Sequence, residues 1–329
     1  MESSDPGRFA GGFGVETGLP RLFDFAVTVS GCQTRWKSPT MADAPNTPAG
    51  RLPDFVAVGP AKTGTSSLHR YLCEHPQIHM SRPKGPRFFC ASAESNFHRG
   101  LDWYRSLFCS DRLLCGEVTP SYTRSTAPVV AQRMQAIIPH ARLVYNLREP
   151  WSRMISHYRM LLRLPQKQCH RFEEDLPRYP NLRESSLGGT QLSLLRAHFP
   201  AGQIHCLESQ RLLTATRPTL KALFEFLGAD SDLDSPLFGK QFNVGDDKEG
   251  RTSPPQQSGS ASLPAGAQSP APRTESDHKS EPHILIPPTL VRQLHDEFCR
   301  EVDLLRQLTS QPLASLEVPS LADLLAAHT

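Results

Sequence analysis

The stretch FVAVGPAKTGTSS, residues 55–67, decides the fold of this 329-residue chain. Its first part, Phe55–Val58, is a short apolar run that ends at Gly59, which is typical of a buried strand. Residues 65–74 follow with apolar side chains on one helical face. The segment therefore predicts a strand, a glycine-containing loop and a helix in direct succession.

The loop of this segment is suited to bind phosphate. Backbone N–H groups at the start of a helix lack partners within the helix and carry partial positive charge. Lys62 adds a full charge, and further phosphate contacts are expected from Thr63, Gly64, Thr65, Ser66 and Ser67. The Walker A motif places its lysine directly after the second glycine, whereas Lys62 precedes Gly64, so a P-loop kinase or GTPase is disfavoured. A glycine-rich turn with a solvated lysine is the alternative.

A second junction of the same kind lies at LREPWSRMISHY, residues 147–158. A strong predicted strand at 142–147 leads into a helix predicted from Trp151 to Leu164. Arg148 lies at the carboxyl end of the strand, where open α/β sheets bind ligands, and Ser156 follows about two helical turns later. A guanidinium and a hydroxyl could hold a second phosphate. A helix start with exposed arginines is the alternative.

Strands and helices alternate along the rest of the chain. Further strands are predicted at 78–80, 113–115 and 203–207, and further helices at 128–138, 185–199, 218–227, 288–308 and 321–327. Alternation at this spacing predicts an α/β protein with a parallel sheet and helices on both of its faces.

Composition divides the chain into segments. Residues 1–50 are rich in Gly, Ser, Pro and Thr and are expected to be a poorly ordered leader, with Met41 as a second possible start. Residues 246–283 lose all hydrophobic periodicity and are predicted to be a disordered insertion. One domain, formed by 51–245 and 284–312, and a C-terminal tail at 313–329 account for the remainder.

Charge and cysteine content exclude several classes of protein. The formal net charge of +3 is too small to favour a nucleic-acid binder and is compatible with a local basic pocket. The eight cysteines are scattered without zinc-site spacing and are expected to be reduced. No apolar run of membrane-spanning length and no signal-peptide pattern is visible, so a cytoplasmic location is expected, while the oligomeric state stays open.

Together the two junctions resemble the nucleotide-binding segments of sulfotransferases that use 3′-phosphoadenosine-5′-phosphosulfate (PAPS). The second junction matches the family at Arg148, Pro150, Arg153, Ser156 and Tyr158, and residues 116–122 resemble the family's block at the end of its third strand. The resemblance covers about 53–243 and 284–308 and is greatest to the heparan-sulfate-type and microbial branch. It implies a P-loop-like three-layer fold with a central parallel sheet flanked by helices.

The resemblance also implies a reaction and a set of roles. Lys62 would contact the bridging and 5′-phosphate oxygens, residues 63–67 would cradle the 5′-phosphate, and Arg148 and Ser156 would hold the 3′-phosphate. PAPS would be the co-substrate, without a metal, and its sulfuryl group would pass in line to a hydroxyl or amine. The acceptor would be a carbohydrate or another small molecule.

One departure from the family pattern bears on catalysis. Where the family commonly reads Lys-Glu-Pro, with the Glu as general base, this chain has Gly85. Possible substitutes are Glu117, Glu94, His98 and His157, of which Glu117 is preferred because its block ends a strand at the same crevice, although a structural carboxylate is the alternative. Some lineages also carry a lysine where Val118 stands. A catalytically impaired nucleotide- or glycan-binding protein is therefore the second hypothesis.

Four further residues complete the predicted site. Lys248 and Arg251 are assigned to a basic loop that would close over the nucleotide. Arg87, which follows the Gly85 segment, and Gln191, on the helix predicted at 185–199, are assigned to the acceptor. An exposed polar helix position is the alternative for Gln191.

Overall fold

A computed structural model describes residues 50–124, 127–164, 171–240, 242, 283–311 and 313–328. Except for Gly50 and His283, the predicted leader and the predicted insertion lie outside these residues. The described residues all belong to one unit that spans Thr47–Thr329.

Five strands form the central sheet. They are β1 Phe55–Val58, β2 Ile78–Met80, β3 Leu114–Thr119, β4 Arg142–Leu147 and β5 Ile204–Glu208. Their order across the sheet is β2-β3-β1-β4-β5, and each neighbouring pair is parallel. The predicted fold class, a P-loop-like α/β fold with a parallel sheet, is confirmed.

Eleven helices occur in the described part of the chain. They are α1 Thr65–Glu74, α2 Gly100–Ser106, α3 Ala127–Ile137, α4 Pro150–Leu162, α5 Phe172–Arg178, α6 Asn181–Glu184, α7 Gly188–Arg196, α8 Ser209–Thr214, α9 Thr216–Leu227, α10 Pro288–Thr309 and α11 Leu321–His328. Short 3-10 turns lie at Phe97–Arg99, Pro120–Thr123, Ala201–Gln203 and Ala314–Leu316.

The alternation of side chains along β1 divides the core into two layers. Val56 and Val58 pack with residues of α3, α7 and α10 on one face of the sheet. Phe55 and Ala57 pack with residues of α1 and α9 on the other face. Because successive side chains of a strand point to opposite faces, one fully buried strand holds both helical layers to the sheet.

Strand β3 is longer than the sequence predicts and extends to Thr119. It pairs with β1 so that Gly116 lies opposite Phe55, and a Cβ at position 116 would lie 2.2 Å from the Phe55 ring. Glycine is therefore required for the close approach of these strands. The same register buries Glu117 completely in the middle of the sheet.

The helix predicted at 185–199 is shorter in the structure, where α7 spans Gly188–Arg196. Helix α6 ends at Glu184, and Ser185, Ser186 and Leu187 form the turn between the two helices. The Ser185 hydroxyl donates to the Thr123 carbonyl, and the Ser186 hydroxyl donates to the Pro150 carbonyl. Both bonds join this turn to the carboxyl edge of the sheet.

Residues that the sequence analysis separates as a C-terminal tail pack on the domain. Leu324 of α11 is buried against residues of α4 and α10. The indole N–H of Trp151 donates to Nε2 of His328, 3.2 Å away, and Nδ1 of His328 lies 2.8 Å from the Ile284 carbonyl oxygen. Among the described helices, none has both the length and the apolar character that a membrane crossing needs.

Candidate anion-binding site at the carboxyl edge of the sheet

The loop between β1 and α1 has an unusual backbone. Lys62 and Gly64 both have left-handed dihedral angles, with φ of 77° and 75°. Gly64 is the residue before α1, and no side chain caps this helix. The N–H groups of the first helical turn are therefore available to an anion from outside the helix.

Three successive carbonyl groups of the loop are held from the side of β4 and α4. The Ala61 oxygen accepts from Arg153 at 3.4 Å, the Lys62 oxygen from Arg148 at 3.0 Å and the Thr63 oxygen from Asn146 at 3.3 Å. In a planar trans peptide the N–H points away from the C=O. With these carbonyls fixed, the next three N–H groups point away from them, an arrangement that suits an anion-binding nest.

Two cations, Lys62 and Arg148, lie at this loop. Neither Lys62 nor Arg148 forms an ion pair with a carboxylate within the described ranges. Burial lowers the pKa of Lys62, and the nearby Arg148 and Arg163 lower it further. Burial also lowers the pKa of Arg148, and the charge of the adjacent Glu149 opposes this. Partly buried positive charge without a salt bridge favours the binding of an anion here.

Helix α4 is fixed firmly at its start, which positions the second predicted phosphate contact. The Glu149 carboxylate accepts from the backbone N–H groups of Trp151 and Ser152, both at 2.6 Å. Arg153, which is 1% exposed, donates to the Ser186 hydroxyl and to the Leu182 carbonyl. Arg148 and Ser156, at and beyond this fixed start, are both partly exposed, as ligand contacts require.

The position of the missing carboxylate lies against the end of β3. Gly85 has a φ of 72°, and a Cβ there would lie 3.6 Å from the Val118 carbonyl oxygen and 4.0 Å from the Thr119 hydroxyl oxygen. Both are ordinary contact distances, so a Cβ fits at this position. The left-handed backbone would strain any residue other than glycine.

Glu117 lies close to this position but has no exposed surface. Its carboxylate accepts hydrogen bonds from the hydroxyl groups of Tyr104, Thr119 and Tyr122. Burial raises its pKa to about 7, and the three hydroxyl donors partly oppose this rise. Thr119 connects Glu117 to the edge near Gly85, but a role as general base stays a prediction, because both carboxylate oxygens are enclosed.

The other predicted bases differ in their surroundings. Glu94 forms ion pairs with Arg87 at 3.0 Å and Arg124 at 3.3 Å. His98 lies on an exposed 3-10 turn. His157 lies near the loop, where burial and the charges of Arg153, Arg124 and Lys62 lower its pKa to about 3. His157 is therefore neutral at physiological pH, and its low pKa makes it a weak proton acceptor.

The residues assigned to the acceptor and to the nucleotide-closing loop differ in their exposure. The Arg87 side chain is 45% exposed beside Gly85. Gln191 is buried, and its amide nitrogen lies 3.4 Å from the Glu184 carbonyl oxygen. Lys248 and Arg251 lie outside the described residues.

Two contributors to the loop were not assigned by sequence reasoning. Asn146 lies within β4, and the sequence pattern identifies it only as part of a buried strand. Its contact with the Thr63 carbonyl is visible only in the structure. Lys84 directly precedes Gly85 and has no role in the predicted site, yet its Nζ lies 2.8 Å from the Ser66 hydroxyl oxygen. The strand order brings these residues to the loop from two sides, and no local sequence pattern reports strand order.

The fold is a parallel α/β fold, and the loop between its first strand and first helix is a candidate site for a phosphate-type anion. Residues 52–238, more than half of the chain, match the family model described as the sulfotransferase domain, so the chain belongs to the sulfotransferase family. This membership agrees with the resemblance seen in the two strand–helix junctions.

Comparison with individual proteins gives the same result. The chain is 30% identical over 195 residues to heparan sulfate glucosamine 3-O-sulfotransferase 3B1 of Mus musculus, covering 54% of this chain and 46% of that protein. It is 29% identical over 199 residues to bifunctional heparan sulfate N-deacetylase/N-sulfotransferase 2 of Bos taurus, covering 54% of this chain and 22% of that protein. The match thus spans less than half the length of either relative.

A solved structure supports the fold independently. The sulfotransferase from Alicyclobacillus acidocaldarius superposes with a TM-score of 0.59 and 22% identity, over 81% of this chain and 99% of that one. At this level of identity the likeness establishes the fold.

Proposed function

We propose that this chain transfers a sulfuryl group from PAPS to a hydroxyl or amine of a carbohydrate or another small acceptor. The observation that supports this proposal most directly is the loop after β1, where side chains of β4 and α4 fix three successive carbonyl groups beside Lys62 and Arg148. Membership of the sulfotransferase family supports the reaction class. The heparan sulfate enzymes among the relatives support a carbohydrate acceptor.

The residues divide the binding of the donor between the two junctions. The nest and the hydroxyl groups at the start of α1 hold the 5′-phosphate, because their donors converge on the open side of the loop. Arg148 and Ser156 hold the 3′-phosphate from α4. Arg148 also bonds to the Lys62 carbonyl, so a change at this residue affects both phosphates.

Lys62 has a second task during transfer. The acceptor oxygen or nitrogen forms a bond to sulfur while the bond from sulfur to the bridging oxygen breaks, and the bonding electrons remain on the phosphate. Lys62 stabilises the negative charge that develops there. The acceptor proton passes to a base, for which Glu117 is a candidate because its hydrogen-bond donor Thr119 lies beside Gly85.

The donor site is tested with PAP, the desulfated nucleotide, by isothermal titration calorimetry. We expect K62A and R148A each to weaken binding by about 10- to 150-fold, since losing a hydrogen bond to a charged group costs about 1.5–3 kcal/mol. K221A is the matched control, because Lys221 is exposed and pairs with Asp232 on another surface. Absence of PAP binding by the folded wild-type protein would remove the donor site and with it the proposed reaction.

A catalytically impaired protein is the second candidate, and Gly85 is the observation that favours it. Transfer from radiolabelled PAPS to a panel of glycan acceptors is measured for the wild type, G85E and G85A. G85A is the control, since it introduces the same backbone strain as G85E without a carboxylate. Activity that appears only in G85E supports the impaired protein, whereas an active wild type establishes transfer without a base at position 85.

A further inference from the structure

Lys84 is a cation that the proposed mechanism does not yet use. It follows β2 and directly precedes Gly85, and its Nζ donates to the Ser66 hydroxyl oxygen at 2.8 Å. Ser66 belongs to the first turn of α1, whose N–H groups face the proposed donor phosphate. The Lys84 ammonium therefore lies at the amino end of the phosphate-binding helix.

This position is electrostatically unfavourable without a ligand. The amino end of a helix carries partial positive charge and repels a cation. The neighbouring charged and titratable groups are Arg70 and His69 on α1 and Arg82 on the same segment as Lys84, and none of them is acidic. Within the described ranges Lys84 has no carboxylate partner, and its hydrogen bond to Ser66 is to a neutral group. Burial and Arg70 lower its pKa to about 8.

The strand order separates Lys84 from the other cations of the site. Strand β2 lies beyond β3 on one side of β1, whereas β4 lies directly on the other side. Lys84 therefore reaches the start of α1 from the β2 side, and Arg148 reaches the loop from the β4 side. An anion on the loop would have positive groups on both flanks.

We propose that Lys84 is a further donor-binding residue, which contacts the 5′-phosphosulfate group of PAPS from the Ser66 side of the loop. This inference rests on the proposed function. The ammonium gains in the nucleotide the anionic partner that the protein does not supply. The hydrogen bond between them orients both groups, since the Lys84 ammonium donates and the Ser66 hydroxyl oxygen accepts.

Titration of Lys84 distinguishes this role from a structural one. In the free protein a share of Lys84 is neutral above pH 8. A bound phosphate favours the charged form, so binding takes up a proton above pH 8 and PAP affinity falls as pH rises there. Phosphate monoesters lose their second proton near about pH 6, so PAP itself does not titrate in this range. The pKa of Lys62 is also lowered, so Lys62 contributes part of the proton uptake, and this part remains in the Lys84 variants.

The experiment is PAP titration calorimetry at pH 7 and pH 9, in buffers with different ionisation enthalpies. We expect K84M to lower the affinity at pH 7 about tenfold or more, since it removes a charge-assisted hydrogen bond. K84R is expected to retain most of the affinity while taking up fewer protons at pH 9 than the wild type. K221M, at an exposed and paired lysine, is expected to match the wild type.

The outcomes separate this inference from the proposed function. If the wild type binds PAP and K62A weakens it, but K84M binds as K221M does, Lys84 is structural and the inference is overturned. If K84M does not fold, K84R decides instead: the inference is overturned if K84R takes up as many protons as the wild type on binding PAP at pH 9. If the folded wild type does not bind PAP, the proposed function fails first.

Discussion

Replacing Glu117 by glutamine should make the stability of the domain less dependent on pH. Glu117 is fully buried, and its pKa rises from 4.5 to about 7 in the folded state. An acid with a raised pKa binds its proton more tightly when folded, so its contribution is fully present below pH 4.5 and is lost as pH rises toward 7. Between pH 5 and 8 the loss amounts to about 2–3 kcal/mol in the free energy of unfolding.

Urea unfolding at pH 5, 6, 7 and 8 measures this effect. E117Q keeps the size of the side chain and stays neutral, so its stability relative to the wild type should increase by that amount across the range. E94Q is the control, because the Glu94 side chain is 51% exposed and lies in ion pairs at the surface. A constant difference between E117Q and the wild type would refute the argument, since it would mean that folding does not shift the titration of Glu117.

The same variant decides whether Glu117 also takes the acceptor proton. If Glu117 is the base, E117Q loses about 10²–10⁴-fold in rate while binding PAP normally, and the wild-type rate rises with pH up to about 7. If E117Q transfers at the wild-type rate, the Glu117 carboxylate has a structural role only.

Two further substitutions test how the sheet and the loop are held. R153M should lower the free energy of unfolding by about 2–4 kcal/mol in urea, because it leaves the buried oxygens of Leu182 and Ser186 without their donor. A loss below about 0.5 kcal/mol would show that water replaces the guanidinium. G116A should cost about 1–3 kcal/mol, because its Cβ would meet the Phe55 ring, whereas G202A, with nothing within 4 Å, should be near neutral. Equal effects of G116A and G202A on the thermal midpoint would contradict the close approach of β1 and β3.

The sequence pattern was sufficient to predict secondary structure where a segment itself contains the residues that begin and end each element. The strand, loop and helix of residues 55–74 were predicted with their observed bounds, because an apolar run, glycine and a helical period follow one another directly. Strand β3 was predicted too short because Gly116 and Glu117 do not resemble strand residues. Their place in the sheet depends on Phe55 in the paired strand, which sequence spacing does not reveal.

Helix α7 was predicted at 185–199 and spans Gly188–Arg196, so the helix was predicted but both of its ends were placed too far out. No local signal excludes Ser185 and Ser186 from it. In the structure these serines lie in the turn before α7 and donate hydrogen bonds to the carbonyl groups of Thr123 and Pro150, which are distant in sequence. The assignment of Gln191 to the acceptor stays a prediction: Gln191 is buried on α7, and its amide nitrogen lies near the Glu184 carbonyl oxygen. Tertiary contacts decide where α7 begins.

The proposed donor site is where the chain departs most from local preference. Four non-glycine residues among those described have positive φ, and two of them, Lys62 and Arg87, flank the site. Lys62, Lys84 and Arg148 are cations whose burial opposes their charge. Strain and unpaired charge of this kind lower the stability of the free protein and persist where they serve function. A dianionic phosphate would supply the missing partner, so the features that weaken the empty fold are those that would bind the nucleotide most strongly.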